Sequence, residues 1–243
     1  MSGHRFIIAT FVMAFLLIVI PSCSHEGDEL VPSVGVATYE VTYSKDLRDN
    51  STFGTFLPHS VTCIYDSCHA KLMATAPLGL AKIGIVIGAS GNFATVDFDN
   101  AKLLLSLNDM LGLGTEDSDG SGVEVKEAGE LTDISGFMSA HLTIEPRSAD
   151  QAGGSIDVFY IPFGAEKSTG ALRPVDLGEK SGGPHLPGLV TAVNVKLGES
   201  NVMLLIKDVK RQDHVKPNEF ERPRGFIEAS RSDIVAMCDL LLN

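Results

Sequence analysis

The chain contains no tryptophan and few aromatic residues of any kind, and it is short of positive charge. Its 19 Lys and Arg residues stand against 31 Asp and Glu, a formal net charge of -12. Nucleic-acid binding relies on Lys and Arg to neutralise phosphates, so this balance excludes it as a role. It suits instead a domain that faces water and is held off anionic surfaces. The longest apolar run, Phe6 to Ile20, falls short of the roughly 20 residues that a membrane-spanning helix needs. No β-α-β alternation occurs, which excludes a doubly wound fold. Phosphate-cradling and dinucleotide-binding glycine motifs are missing as well.

Catalytic and metal-binding signatures are equally scarce. The histidines (His4, His25, His59, His69, His141, His185 and His214) are scattered, and no pair has helical metal-ligand spacing. Gly88-Ala89-Ser90-Gly91-Asn92 resembles part of a nucleophile elbow, but the closing Gly is absent and no helix follows. It reads as a turn between Ile87 and Phe93. In the acidic stretch 115–122, Gly120 comes too early after Asp117 and Asp119 for a calcium loop, so a solvated hairpin tip is expected. No catalytic residue, metal ligand or cofactor is assigned.

What is present begins with the N-terminus. His4 and Arg5 precede the apolar run, and Ile20-Pro21-Ser22-Cys23 follows it, an order that resembles a bacterial lipobox. The expectation is a lipoprotein signal peptide over 1–22 and acylation (palmitate among the chains) at Cys23. That would make an N-terminal lipid anchor to the cell envelope, at the outer membrane. Residues 23–36, polar, acidic and broken by Pro32 and Gly35, read as a flexible tether. With Cys23 lipidated, Cys63, Cys68 and Cys238 remain. Cys63 and Cys68 flank a possible hairpin loop, 64–67, so they are expected to face each other across two strands. An exported compartment permits that disulfide. The neighbouring His69 is too isolated to make a metal site with them.

From residue 37 to 243 the pattern is that of one β domain. Tyr39, Val41 and Tyr43 alternate with Glu40 and Thr42; Val61, Cys63 and Tyr65 form a second strand. Three stretches, 83–87, 103–105 and 158–161, are apolar on both faces. Residues 102–113 fit either a strand or a helix face, and a strand yielding to a loop near Asn108 is preferred. Val193, Val195 and Leu197, then Val202, Leu204 and Ile206, alternate with polar residues on either side of Gly198-Glu199-Ser200, a hairpin signature. Residues 164–184 are glycine-rich and read as an insertion loop. Ser232 can cap a short helix over 232–242 whose Ile234, Met237, Cys238 and Leu241 share a face.

The order of several segments resembles a Bacteroidetes family of outer-membrane-lipoprotein-carrier-like proteins of the LolA/LolB type. The segments are TYEVTYSKDL, LPHSVTCIYDSCHAKL, TVDFDNAKLLLSLNDMLG, KEAGELTDISGF, SIDVFYIPFG, PGLVTAVNV and KDVKRQDHVKPNEFERPRGF. The resemblance implies a mainly β fold, a single curved antiparallel sheet forming an incomplete β-barrel with few short helices. Its inner face would hold a lipid or other apolar ligand without covalent chemistry. Tyr39, Val41, Tyr43, Leu103, Leu105, Val158, Tyr160, Val193, Val195, Val202 and Leu204 are the candidate lining. Two alternatives stand beside a non-enzymatic lipid-binding protein. One is a structural or interaction module engaging a protein partner of the envelope; the other is a hydrolase of glycan or lipid.

Overall fold

The computed structural model describes residues 34–49, 57–66, 69–79, 81–88, 91–98, 101–106, 123–146, 154–162, 188–230 and 232–233. Strand β1 (Gly35–Tyr43) leads into a short helix, α1 (Lys45–Asp49). Then come β2 (Ser60–Tyr65), β3 (Ala70–Thr75), β4 (Ala81–Gly88), β5 (Gly91–Phe98) and β6 (Ala101–Ser106). A second series follows: β7 (Val123–Ile134), β8 (Phe137–Pro146), β9 (Gly154–Pro162), β10 (Gly188–Leu197) and β11 (Ser200–Arg211). A two-residue strand, β12 (Ile227–Glu228), ends the set.

All of them lie in one 12-stranded sheet, in the order β12-β6-β5-β4-β3-β2-β1-β11-β10-β9-β8-β7. It is two meanders, β1–β6 and β7–β11, joined edge to edge where β1 pairs antiparallel with β11. Every pairing is antiparallel except that of β12, which runs parallel to β6. The two outer strands, β12 and β7, are not bonded to each other, so the sheet is unclosed.

Period-two alternation determines which side chains go inside. On β1, Ala37, Tyr39 and Val41 are buried; on β11, Val202, Leu204 and Ile206 are. Across the first meander, Leu105, Ala94, Ile85, Leu72, Cys63 and Ala37 stand opposite one another in register. Across the second, Val41, Leu204, Val193, Val158 and Leu142 do the same. These two rows belong to a single hydrophobic cluster that reaches from β6 to β8. Ten strands laid flat at about 4.8 Å each would spread such a face over more than 40 Å. Full burial of one face along that width, with no second sheet among the described residues, means that the sheet curls around it.

Bulges supply the bends. Register shifts occur in β1 between Thr38 and Tyr39, in β10 between Val190 and Ala192, and in β7 between Ala128 and Thr132. Tight turns hold the hairpins. Ser135 (φ 54) and Gly136 (φ 88) make a two-residue turn between β7 and β8, braced where Gly136 N donates to Asp133 Oδ1 at 2.8 Å. Gly198 (φ 58) opens the β10–β11 turn at the position expected.

The outer face has its own apolar patch. Val86, Phe93 and Leu104 are covered by Phe220, with Ile64, Val215 and Phe226 around them. Lys71 Nζ donates to Glu219 Oε2 at 2.8 Å beside it. This explains why residues 83–87 and 103–105 are apolar on both sides: Ile85 and Leu105 face the main core, while Val86 and Leu104 lie beneath the tail. The tail therefore straps the outer face before β12 takes the sheet edge.

Other expectations are met or adjusted. The strand preferred for the start of 102–113 is β6; the remainder of that stretch, the insertion at 164–184, Cys23 and the signal segment lie outside the described residues, as does the C-terminal helix beyond Asp233. Gly35 and Val36, read as the end of the tether, are already paired in β1 with β2 and β11. Truncating Leu204, fully buried at the centre of the second row, should lower unfolding free energy by about 2–5 kcal/mol. Denaturant titration of Leu204→Ala against Lys207→Ala, an exposed neighbour on the other face, checks this.

Candidate functional site

The candidate site is the inner face itself. Nine of the eleven candidate lining residues are buried in the main cluster: Tyr39, Val41, Leu105, Val158, Tyr160, Val193, Val195, Val202 and Leu204. Tyr43 and Leu103 are partly buried and pack against it. The structure thus brings all eleven to one face, though they come from β1, β6, β9, β10 and β11. Val61, Leu72, Ile85, Leu142 and Tyr65, outside the candidate lining, share that face too. Tyr65 had a legible signal, since it continues the alternation of Val61 and Cys63.

Among the described residues no Asp, Glu, Lys, Arg or His side chain is buried; the buried polar ones are Ser139 and Thr191. The polar side-chain atoms of the main cluster are phenols and one thiol. Tyr39 Oη donates across β11 to the carbonyl of Val190 at 2.9 Å, the carbonyl exposed by the β10 bulge. Tyr43 Oη donates to Pro58 O at 2.6 Å. Ser139 Oγ and Thr191 Oγ1, both fully buried, meet at 2.7 Å across β9. Tyr65 Oη is buried with no partner. Desolvation by burial raises the pKa of Tyr39, Tyr43 and Tyr65 and pushes the Cys63 thiol up to about 12. An interior of this kind resists negative charge.

The expected Cys63–Cys68 bridge is corrected. Cys63 is a free thiol, buried at 2% exposure, and the strand partner opposite it is Leu72. The hairpin turns later than expected, because β2 runs on through Tyr65 and the chain reverses where Asp66 N donates to His69 O at 2.9 Å. That register places Cys63 well back along the strand; Cys68 lies outside the described residues. His69 has a structural role here. Its Nδ1 sits 3.0 and 3.1 Å from the Asp66 carboxylate oxygens, and its ring stacks on Phe220 at 5.2 Å. Among the described residues no three His, Cys, Asp or Glu side chains are grouped to hold a metal ion, and no helix is long and apolar enough to cross a membrane.

The polar chemistry lies on the outer face. Asp157 accepts from Thr143 Oγ1 at 2.9 Å and from Lys196 Nζ at 3.0 Å, and His141 Nε2 lies 3.3 Å away with its ring stacked on Phe159. Burial opposes the Asp157 carboxylate, but the hydrogen bonds from Lys196, Thr143 and His141 outweigh it and hold its pKa below the usual carboxylate value. Thr143 Oγ1 also lies 3.4 Å from His141 Nε2, so the three side chains form one group that braces β8, β9 and β10.

No protein-family model and no curated protein matches the chain. Among solved structures, PNGF-II in its P21 crystal form aligns with a TM-score of 0.48 and 15% identity, over 84% of this chain and 33% of that one. The chain thus spans about a third of the length of PNGF-II. The Mycobacterium tuberculosis lipoprotein LppX aligns at 0.37 and 12%, over 89% of this chain and all of its own. LprF from Mycobacterium bovis aligns at 0.30 and 10%, over 76% and 90%. These are distant likenesses in the course of the chain, and they assign no family.

Two consequences are measurable. Cys63 should resist iodoacetamide in the native protein at mildly alkaline pH and react once denatured, read by peptide mass mapping. Asp157, with its pKa depressed by folding, contributes stability above its unfolded value of about 4 that fades as pH falls through the folded one. Asp157→Asn should therefore be less stable than the parent at neutral pH, with the gap closing in acid, by thermal melts across pH.

Proposed function

We propose that this protein is a non-enzymatic, lipid-anchored component of the cell envelope that holds a lipid or other apolar ligand within the curl of its sheet. The anchor is acylated Cys23 at the outer membrane, and residues 24–34 connect it to β1. The observation that carries the proposal is the continuous apolar face contributed by ten neighbouring strands, β6 through β8, with no charged side chain buried among the described residues. A domain stabilised by a sheet alone needs one buried face; a face this wide and curled suits hydrocarbon. The likeness of the sequence segments to lipoprotein carriers of the LolA/LolB type points the same way.

A second role, engagement of an envelope protein, is favoured by the β7–β8 hairpin, where Leu131 and Met138 are more than half exposed.

Native mass spectrometry of the untreated protein should show a co-purifying apolar species that delipidation removes, and the delipidated protein should take up a fluorescent lipid. Absence of both would overturn ligand binding. Cys23→Ser should move the protein from the membrane fraction to the soluble fraction; retention at the membrane would overturn the anchor.

A further inference from the structure

The chain has four tyrosines, at 39, 43, 65 and 160, and all four lie on or against the inner face. Tyr39 and Tyr43 donate to backbone carbonyls, and Tyr160 is also engaged. Tyr65 differs: its hydroxyl is buried, the residue is 3% exposed, and no donor or acceptor meets it. A buried hydroxyl without a partner opposes folding, so its presence calls for a reason.

Its surroundings supply one. In register, Tyr65 is flanked by Gly35 on β1 and Ala70 on β3, two of the smallest residues available. At Gly35 a Cβ would come within 3.0 Å of Tyr65 Oη and 2.8 Å of Lys210 O. The phenol can occupy this place only because residue 35 has no side chain. Along the strand the next inward groups are Cys63 and, on β1, Ala37, so the hydroxyl is the polar point of a patch of small residues.

We propose that Tyr65 Oη donates a hydrogen bond to the neutral carbonyl of an acylated ligand, an ester or amide on a hydrocarbon chain, bound at the inner face. This rests on the apolar-ligand function proposed above and specifies its chemistry. A free carboxylate fits poorly. Among the described residues no Lys, Arg or His is buried to pair with it, and the same desolvation that raises the neighbouring Cys63 thiol opposes a buried carboxylate. A carbonyl satisfies the hydroxyl without bringing a charge inside, while its hydrocarbon chain lies along the apolar rows.

The test uses the full chain carrying Cys23→Ser, delipidated, with diphenylhexatriene as the fluorescent probe. Methyl palmitate, palmitate and hexadecane serve as competitors at neutral pH. Methyl palmitate should displace the probe at about tenfold lower concentration than palmitate. Tyr65→Phe should weaken methyl palmitate about tenfold, the loss of one hydrogen bond, and leave hexadecane unchanged. Its denaturation midpoint should equal or exceed the parent's, because the substitution removes an unpaired hydroxyl and keeps the ring; that also shows the variant is folded. Equal ester affinity in parent and Tyr65→Phe, or palmitate bound as tightly as its ester, would overturn the assignment of Tyr65. Failure of the probe and every competitor to bind the parent would overturn apolar-ligand binding itself.

Discussion

Everything in this fold depends on burying one face of a wide sheet with no second sheet among the described residues to cover it. Ten consecutive strands turn aliphatic and small side chains to the same side, and most of those side chains are inaccessible to water. The sheet satisfies this by curling on itself. Hydrophobic burial is non-directional and supplies the force; right-handed strand twist and three register shifts supply the geometry. The bulge in β10 shows how closely the two are linked. Displacing the ladder at Val190 leaves a carbonyl for Tyr39 to cap from two strands away, so the polar group exposed by bending is satisfied by a residue that bending brings near.

The two faces are specialised differently. The inner face is apolar, with isolated hydroxyls and a thiol. The outer face carries ion pairs, among them Asp157 with Lys196 and Glu40 with Lys207, and an apolar patch where the tail bearing Phe220 lies across β4, β5 and β6. Exposed pairs of this kind add little stability, whereas the half-buried Asp157 network ties three strands together. An interior that buries no charged side chain among the described residues favours neutral, apolar groups.

Much of this was legible before any coordinates. Val202, Leu204 and Ile206 on one side of Gly198, and Val193 and Val195 on the other, specified a hairpin and its inward face through a period of two, and all of these valines, leucines and isoleucines are buried as that period requires. The eleven lining candidates share one face for the same reason. Two matters were not legible. Leu104 and Leu105 look alike in sequence, yet one lies under the tail and the other in the main core, because the tail arrives from more than a hundred residues away. Cys63 and Cys68 look well spaced for a bridge, yet β2 continues two residues past Cys63 and sets it against Leu72. A turn displaced by two positions leaves the alternation intact and changes every partner across the hairpin.

The sequence by itself determined that the chain is built from amphipathic strands and which side chains belong together on each. Those are local properties of period and composition. Only the tertiary structure decided that β1 pairs with β11, joining the two meanders into one sheet, and that this sheet remains open between β12 and β7. It alone decided that one tyrosine of four would be left without a partner. These outcomes rest on contacts between residues far apart in the chain, and alternation, which repeats alike in every strand, does not encode which strand a given edge will meet.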